Sequence, residues 1–237
     1  MAALLAIAMF AVFITVDWLL NRRRARATEP EALPAPLEDL VLETGTAPQP
    51  VFVAGYEMPE RLHYHPGHMW TRVTGPDTAV VGVDDFGRRL LGTARGIELP
   101  ALGDYLVQGA KGAGVHTAGR AADVVAPVAG EVIAVNPDLE KDPALMSKDP
   151  YGRGWLFQIR SPHLPLHLRN LLSGSLARKW IEDASERLDH RLMALSGSVL
   201  ADGGEPAHDF GDHVETEEWG QLVEGFLLTQ GYERAAS

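Results

Sequence analysis

The residues best suited to chemistry fall in two short stretches, and the first is the histidine group of HYHPGH. His63 and His65 stand two positions apart, so on a strand both side chains project to the same side. His68 follows through the Pro66-Gly67 turn. Imidazole nitrogens are common zinc ligands, but no further histidine lies close by. We expect these histidines to be structural and keep a metal site at His63, His65 and His68 as an alternative.

The second stretch is GVHTAGRAADVVAPVAGEV, residues 114–132, which indicates two apolar, alternating strands joined at a small-residue tip, Ala118-Gly119-Arg120. Near this tip, His116 and Thr117 have the side chains of a base and a nucleophile. Such a pair needs a third group to orient the base and a pocket of donors for an oxyanion. The sequence indicates neither, so we predict no catalytic residue and no enzyme activity.

Composition narrows the classes of function. The chain has 237 residues, of which 46% are apolar and 22% charged, which suits one compact domain with flanking segments. The formal net charge of -11 argues against nucleic-acid binding, since phosphate contacts need clustered lysines and arginines. The absence of cysteine excludes disulfides, thiolate metal sites and thiol nucleophiles.

The amino-terminal part differs from the rest in its apolar character. MAALLAIAMFAVFITVDWLL has no charge before Asp17 and is followed by Asn21-Arg22-Arg23-Arg24. As a helix, residues 2–20 would span about 28 Å, close to the thickness of a bilayer core. Since arginines that follow a span tend to stay cytoplasmic, we predict a membrane anchor at 1–24 and an inner (cytoplasmic) membrane location with the remaining chain in the cytoplasm. Residues 25–50 then form a proline-rich linker.

The rest of the chain divides by its periodicity. Residues 51–165 contain short β-type runs separated by glycine and proline, which is typical of an all-β barrel or sandwich. From 166 to 237 the apolar residues recur every three or four positions in two segments, so we predict a two-helix extension. It is acidic, with nine Asp or Glu against one Arg from Ser198 onward.

Five phrases, taken in order, resemble the H protein of the glycine cleavage system. They are HMWTRV (68–73), VGVDDFGRRLLG (81–92), IELPALG (97–103), APVAGEVIAVNPDL (126–139) and DPYGRGWLFQIR (149–160). The resemblance implies a mainly β fold, the flattened β-barrel of lipoyl/biotinyl domains (barrel-sandwich hybrid). It also implies a lipoate on a hairpin lysine, which carries an aminomethyl group between partner enzymes.

Carried over position by position, the lysine of that family falls on Gly119, eight residues before Pro127, and its preceding glutamate falls on His116. A slip of one residue gives Arg120, whose guanidinium stays protonated and cannot form the lipoyl amide. The resemblance therefore implies a degenerate lipoyl position and no bound cofactor. Lys111, in the glycine-rich GAKGAG, is the fallback attachment residue.

Three functions follow as hypotheses. The first is a membrane-anchored, non-lipoylated H-protein-like module for binding or scaffolding, whose protein partner would be a membrane-associated enzyme complex. The second is a lipoate-dependent carrier of a glycine-cleavage-type system that uses the displaced Lys111. The third is a small metal-binding protein that uses His63, His65 and His68.

Overall fold

The computed structural model describes residues 51–196 and 210–228, all of which belong to one compact unit. The predicted mainly β fold is confirmed in this part of the chain. Its strands are β1 Phe52–Val53, β2 Tyr56–Glu57, β3 His63–His65, β4 Met69–Val73, β5 Thr78–Val83, β6 Gly96–Glu98, β7 Tyr105–Leu106, β8 Lys111–His116, β9 Ala121–Val125, β10 Gly130–Val135 and β11 Phe157–Arg160.

The strands form one large sheet and two small ones, with antiparallel pairing throughout. The large sheet has six strands in the order β3-β4-β5-β11-β10-β7, and β6-β8-β9 make a three-stranded sheet. Strands β1 and β2 form a separate two-stranded ribbon. Buried aliphatic residues of both larger sheets, such as Val115 and Val124 in one and Val132 and Ile159 in the other, form the core. At the start of β9 and of β10, buried residues alternate with more exposed ones, as the two-residue period of a strand requires.

Helices connect and extend the sheets. They are α1 Asp85–Leu91, α2 Asp138–Lys141, α3 Leu145–Lys148, α4 Leu164–Leu168, α5 Gly174–Ser196 and α6 Thr216–Leu227, with a 3-10 turn at Phe210–His213 before α6. Helix α1 begins where the Asp84 carboxylate accepts a hydrogen bond from the Gly87 N–H (2.7 Å). Such a side-chain cap satisfies one of the free N–H groups at a helix start. Helices α5 and α6 are the two helices predicted near the carboxyl end.

Trp70 on β4 explains one sequence requirement of the core. Its ring is fully buried, and its indole N–H donates to the Pro150 carbonyl oxygen (3.1 Å). Gly82 lies directly opposite on β5, and a Cβ there would lie 2.6 Å from the indole ring. Only glycine leaves room for the tryptophan in this register.

The predicted membrane anchor and membrane location need correction. In residues 51–196 and 210–228, no helix is long and apolar enough to cross a bilayer. The longest, α5, has 23 residues but carries charged side chains along its length, such as Arg178, Lys179 and Glu182. The predicted anchor at 1–24 and linker at 25–50 lie outside the described residues. The fold is therefore given as a mainly β domain with helical additions, and neither a transmembrane helix nor a membrane location is retained.

Candidate functional site

The hairpin of β8 and β9 is the first candidate site, and its tip is open. His116 pairs with Ala121, and the Thr117 N–H donates to the Arg120 carbonyl oxygen (2.9 Å). Gly119 in this turn has a φ of +80°, and a Cβ built there meets no atom within 4 Å. The left-handed conformation favours glycine over residues with a side chain. The position singled out in the sequence is therefore an exposed turn position without a side chain.

His116 and Thr117, which were considered as a base and a nucleophile, are not arranged for catalysis. His116 is exposed, while Thr117 is buried. The Thr117 hydroxyl donates to the Arg120 carbonyl oxygen at the long distance of 3.5 Å, so it is directed into the turn. A nucleophile needs its base within hydrogen-bond reach, and this hydroxyl is used within the hairpin instead.

Arg120 is held by the carboxyl-terminal segment, residues 210–228. Its two terminal nitrogens donate to the carbonyl oxygens of Val214 (3.0 Å) and Gly211 (2.8 Å). Its guanidinium carbon lies 4.5 Å from the centre of the Trp219 ring. The planar guanidinium suits this combination, since its donors reach two acceptors in its plane while its face stacks on an aromatic ring.

Lys111 is the first residue of β8, and its ammonium group is paired with carboxylates. The nitrogen lies 2.9 Å from Asp123 Oδ1 and 3.6 Å from Glu98 Oε2. The hydrogen bond to Asp123 is the main cause that raises the pKa of Lys111 above its ordinary value. The lysine thus lies on the face of the three-stranded sheet, opposite Val125 and away from the hairpin tip.

The three histidines of the first stretch do not converge. The partly buried His65 accepts a hydrogen bond from the Gly67 N–H through Nδ1 (3.0 Å). His68 has a φ of +58°, and its Nδ1 contacts the Asp84 carboxylate (3.1 Å). The His68 ring is stacked on Phe86 with centroids 4.1 Å apart. In the described part of the chain, no group of three His, Cys, Asp or Glu could hold a metal ion.

The pKa values of two of these histidines fit this placement. Burial lowers the pKa of His63, and burial together with the neighbouring His68 lowers the pKa of His65 to about 4. His65 is therefore neutral at neutral pH, as its role as an acceptor requires.

A buried polar cluster lies at the start of α1, and the sequence did not predict it. The Asp85 carboxylate accepts hydrogen bonds from Arg89 (2.8 Å) and from the Glu57 N–H (2.9 Å). The Tyr151 hydroxyl accepts from the Asp85 N–H (2.9 Å) and donates to the Glu57 carbonyl oxygen (2.6 Å). The contacts of Glu57 and Tyr151 join α1 to the β1–β2 ribbon and to the loop before β11, and Arg89, which lies on α1 itself, also donates to the Gly55 carbonyl oxygen of the ribbon (2.9 Å). The cluster therefore links these elements, and its buried charges are paired, as buried charges in proteins usually are.

The carboxyl-terminal segment packs on α1 and β9 beside the hairpin. The Trp219 indole N–H donates to the Leu90 carbonyl oxygen (2.9 Å), and the Asp212 carboxylate accepts from the Thr93 hydroxyl (2.8 Å). Phe226 lies 5.1 Å from Phe86, centroid to centroid. The sequence predicted the apolar face of α6, but it did not predict which surface this face covers.

The comparisons with known proteins agree with the resemblance. A family model described as "Glycine cleavage H-protein" matches residues 62–184, just over half of the chain. The glycine cleavage system H protein of Magnetococcus marinus is 36% identical over 128 residues, which are 54% of this chain and 90% of that protein. The H protein of Laribacter hongkongensis is 42% identical over 123 residues, 52% of this chain and 95% of that protein.

One solved structure is also similar. It is the crystal structure of a glycine cleavage system H protein from Mycobacterium marinum, with a TM-score of 0.42 and 28% identity over 44% of this chain and 87% of that chain. The relatives are all named as H proteins, which gives no support to the membrane location predicted from the sequence. On the family match and the curated relatives together, this chain belongs to the glycine cleavage H-protein family.

Proposed function

We propose that this chain is an H-protein-family module that carries no lipoate on its hairpin and acts by binding another protein. H proteins are lipoyl carriers that interact with the other proteins of the glycine cleavage system, and they are not enzymes themselves. The observation that carries the proposal is Gly119, an exposed turn position with no side chain where the family resemblance places the lysine.

The residues at the tip do not fit lipoate. The lipoyl amide forms on the ε-amine of a lysine, and Gly119 supplies no amine. The guanidinium of Arg120 stays protonated, and it is already bonded to two carbonyl oxygens of the carboxyl-terminal segment. We therefore derive no transfer step through lipoate on this hairpin.

The alternative, a carrier that uses Lys111, is favoured by the family membership and by the position of this lysine just after a turn. The Ala110 N–H donates to the Val107 carbonyl oxygen (3.0 Å), and Lys111 is the next residue. Against it, the two carboxylates beside the ammonium group favour its protonated form, and an amine attacks an acyl group only when deprotonated.

The experiment is intact-mass spectrometry of the full chain produced together with an active lipoylation system. We expect the wild-type chain to show no lipoyl adduct. The Gly119→Lys variant supplies an amine at the tip and is expected to gain one, because nothing surrounds the position. This variant tests whether the barrel is still recognised by the lipoylating enzyme.

Two controls make the result decisive. A related H protein with its hairpin lysine, produced in the same cells, must become lipoylated. A lipoyl adduct on the wild-type chain contradicts the proposal, and its loss in Lys111→Arg would establish the carrier alternative. Lys141→Arg serves as the matched exposed lysine, because Lys141 is exposed at the end of α2.

A further inference from the structure

We propose that residues 210–228 are a built-in ligand of the hairpin. They occupy a surface beside the tip that would otherwise accept an amphipathic helix of another protein, and Arg120 is the residue that holds them there. This inference goes beyond the proposed function and does not depend on whether lipoate is present.

Arg120 joins the segment to the hairpin by contacts that few other residue types can make. Two N–H groups bond the carbonyl oxygens of Gly211 and Val214, and the guanidinium plane lies against the Trp219 ring. These partners lie 91 to 99 residues further along the chain, so the contacts join the hairpin to a distant segment and are not contacts within the turn. They stabilise the position of the segment on the hairpin.

Further contacts of the segment continue along α1. Trp219 bonds the Leu90 carbonyl oxygen, which is one of the acceptors left free at the end of a helix. Asp212 accepts from both the N–H (3.2 Å) and the hydroxyl (2.8 Å) of Thr93, just after the helix. Gly211 lies so close to α1 that a Cβ there would collide with the Leu90 carbonyl oxygen. The surface and the segment are therefore closely complementary.

The part of the chain that matches the family model ends before this segment begins. The family match ends at residue 184. The alignments with the two relatives named above are 128 and 123 residues long, and they cover 90% and 95% of those proteins. Within the described residues, the segment adds no strand to any sheet. A surface formed by α1 and β9, which both lie within the family match, is thus covered by residues from outside that match.

The residue types of the built-in segment also indicate what kind of external partner could bind the same surface. Helix α6 presents the buried residues Trp219, Leu222, Val223, Phe226 and Leu227 to the domain and keeps acidic residues such as Glu217 and Glu224 exposed. Spacings of three and four residues are those of a helix that lies in an apolar groove. A competing partner would be an acidic amphipathic helix with an aromatic residue placed to stack on Arg120.

The test uses the full chain and a fluorescein-labelled peptide of residues 210–228. In Trp219→Ala the built-in segment loses its anchor, while the surface that it covers, including Arg120, keeps its sequence. We expect this variant to bind the peptide at least tenfold more tightly than the wild-type chain, measured by fluorescence anisotropy. The reason is competition, since a binding segment within the same chain has an effective concentration in roughly the millimolar range.

The role of Arg120 is tested by a second substitution in the same background. Trp219→Ala with Arg120→Ala should lose the added peptide binding. Trp219→Ala with Arg95→Ala should keep it, because Arg95 is an exposed arginine whose backbone N–H bonds the His116 carbonyl oxygen of the hairpin (2.7 Å). Equal peptide binding by the wild type and Trp219→Ala would overturn the proposal, as would binding that does not depend on Arg120.

A folding readout keeps the experiment interpretable. If Trp219→Ala no longer unfolds cooperatively, the segment is part of the core and the proposal is wrong. In the single variant Arg120→Ala, amide hydrogen exchange should speed up in residues 216–227 and stay unchanged in β4 and β5. Unchanged exchange in residues 216–227 would count against Arg120 as the holding residue.

Discussion

His65 should make the stability of this protein depend on pH between neutral and mildly acidic conditions. Its imidazole is partly buried and accepts a hydrogen bond from the Gly67 N–H, so protonation of Nδ1 removes the acceptor. Burial is the main cause that lowers its pKa from 6.5 to about 4, and the neighbouring His68 adds to the effect.

The sign follows from proton linkage. The unfolded chain takes up a proton on this imidazole near its ordinary pKa, whereas the folded chain does so only near the lowered value. The stabilisation by neutral His65 is therefore complete above the unfolded pKa of 6.5 and is lost as pH falls toward the folded value of about 4. With each pKa unit worth about 1.4 kcal/mol, the whole effect is about 3 kcal/mol. Between about pH 7.5 and about pH 5 the expected loss is about 2 kcal/mol.

The assay is urea unfolding of the full chain at those two pH values, compared with the variant His65→Asn. The asparagine side-chain oxygen can accept from the Gly67 N–H and does not titrate, so the variant should lose about 2 kcal/mol less than the wild type between the two conditions. His163→Asn is the matched control, since His163 is exposed, and its loss should equal that of the wild type. Equal pH dependence in wild type and His65→Asn would refute the reasoning.

Three further outcomes are expected. Gly82→Ala should lower the free energy of unfolding by about 2 kcal/mol, because the added methyl group overpacks against Trp70. Gly220→Ala should raise the free energy of unfolding by up to about 1 kcal/mol, because Gly220 lies in a helix with open space around it. Urea unfolding measures both changes. Asp84→Ala should cost about 2 kcal/mol or more in the same assay, because it removes a helix cap and the buried partner of a histidine. Added zinc should leave the thermal midpoint unchanged, since the histidines of residues 63–68 do not converge, and an increase of several degrees would contradict this geometry.

Features with a local signature could be predicted from the sequence. Alternation and turn residues indicated the β domain, and the small residues Ala118-Gly119-Arg120 indicated the hairpin tip, which the structure places in an exposed turn. The three- and four-residue periodicity indicated helices α5 and α6. Each of these depends on residues that are near one another in the chain.

Features that depend on distant residues could not be predicted. His63 and His65 do lie on one strand, but the positive φ of His68 turns its ring toward Phe86 and Asp84, and no spacing rule indicates this. From the sequence, Arg120 was considered only as a residue that cannot form the lipoyl amide. In the structure it contacts residues 91 to 99 positions away. The membrane anchor was predicted from the apolar run at the amino terminus and the arginines that follow it, and no helix of residues 51–196 and 210–228 could cross a bilayer.

The fold itself does not exclude a lysine at the hairpin tip. At Gly119 a side chain would meet no atom within 4 Å, so its only cost is the positive φ of +80°. That conformation costs a residue with a side chain on the order of 1 to 2 kcal/mol, which is small beside a typical stability of about 5 to 15 kcal/mol. The missing amine is therefore not explained by the turn. The next residue, Arg120, contacts the chain's own carboxyl-terminal segment through two carbonyl oxygens and the Trp219 ring, so the side chain beside Gly119 is already engaged within the chain.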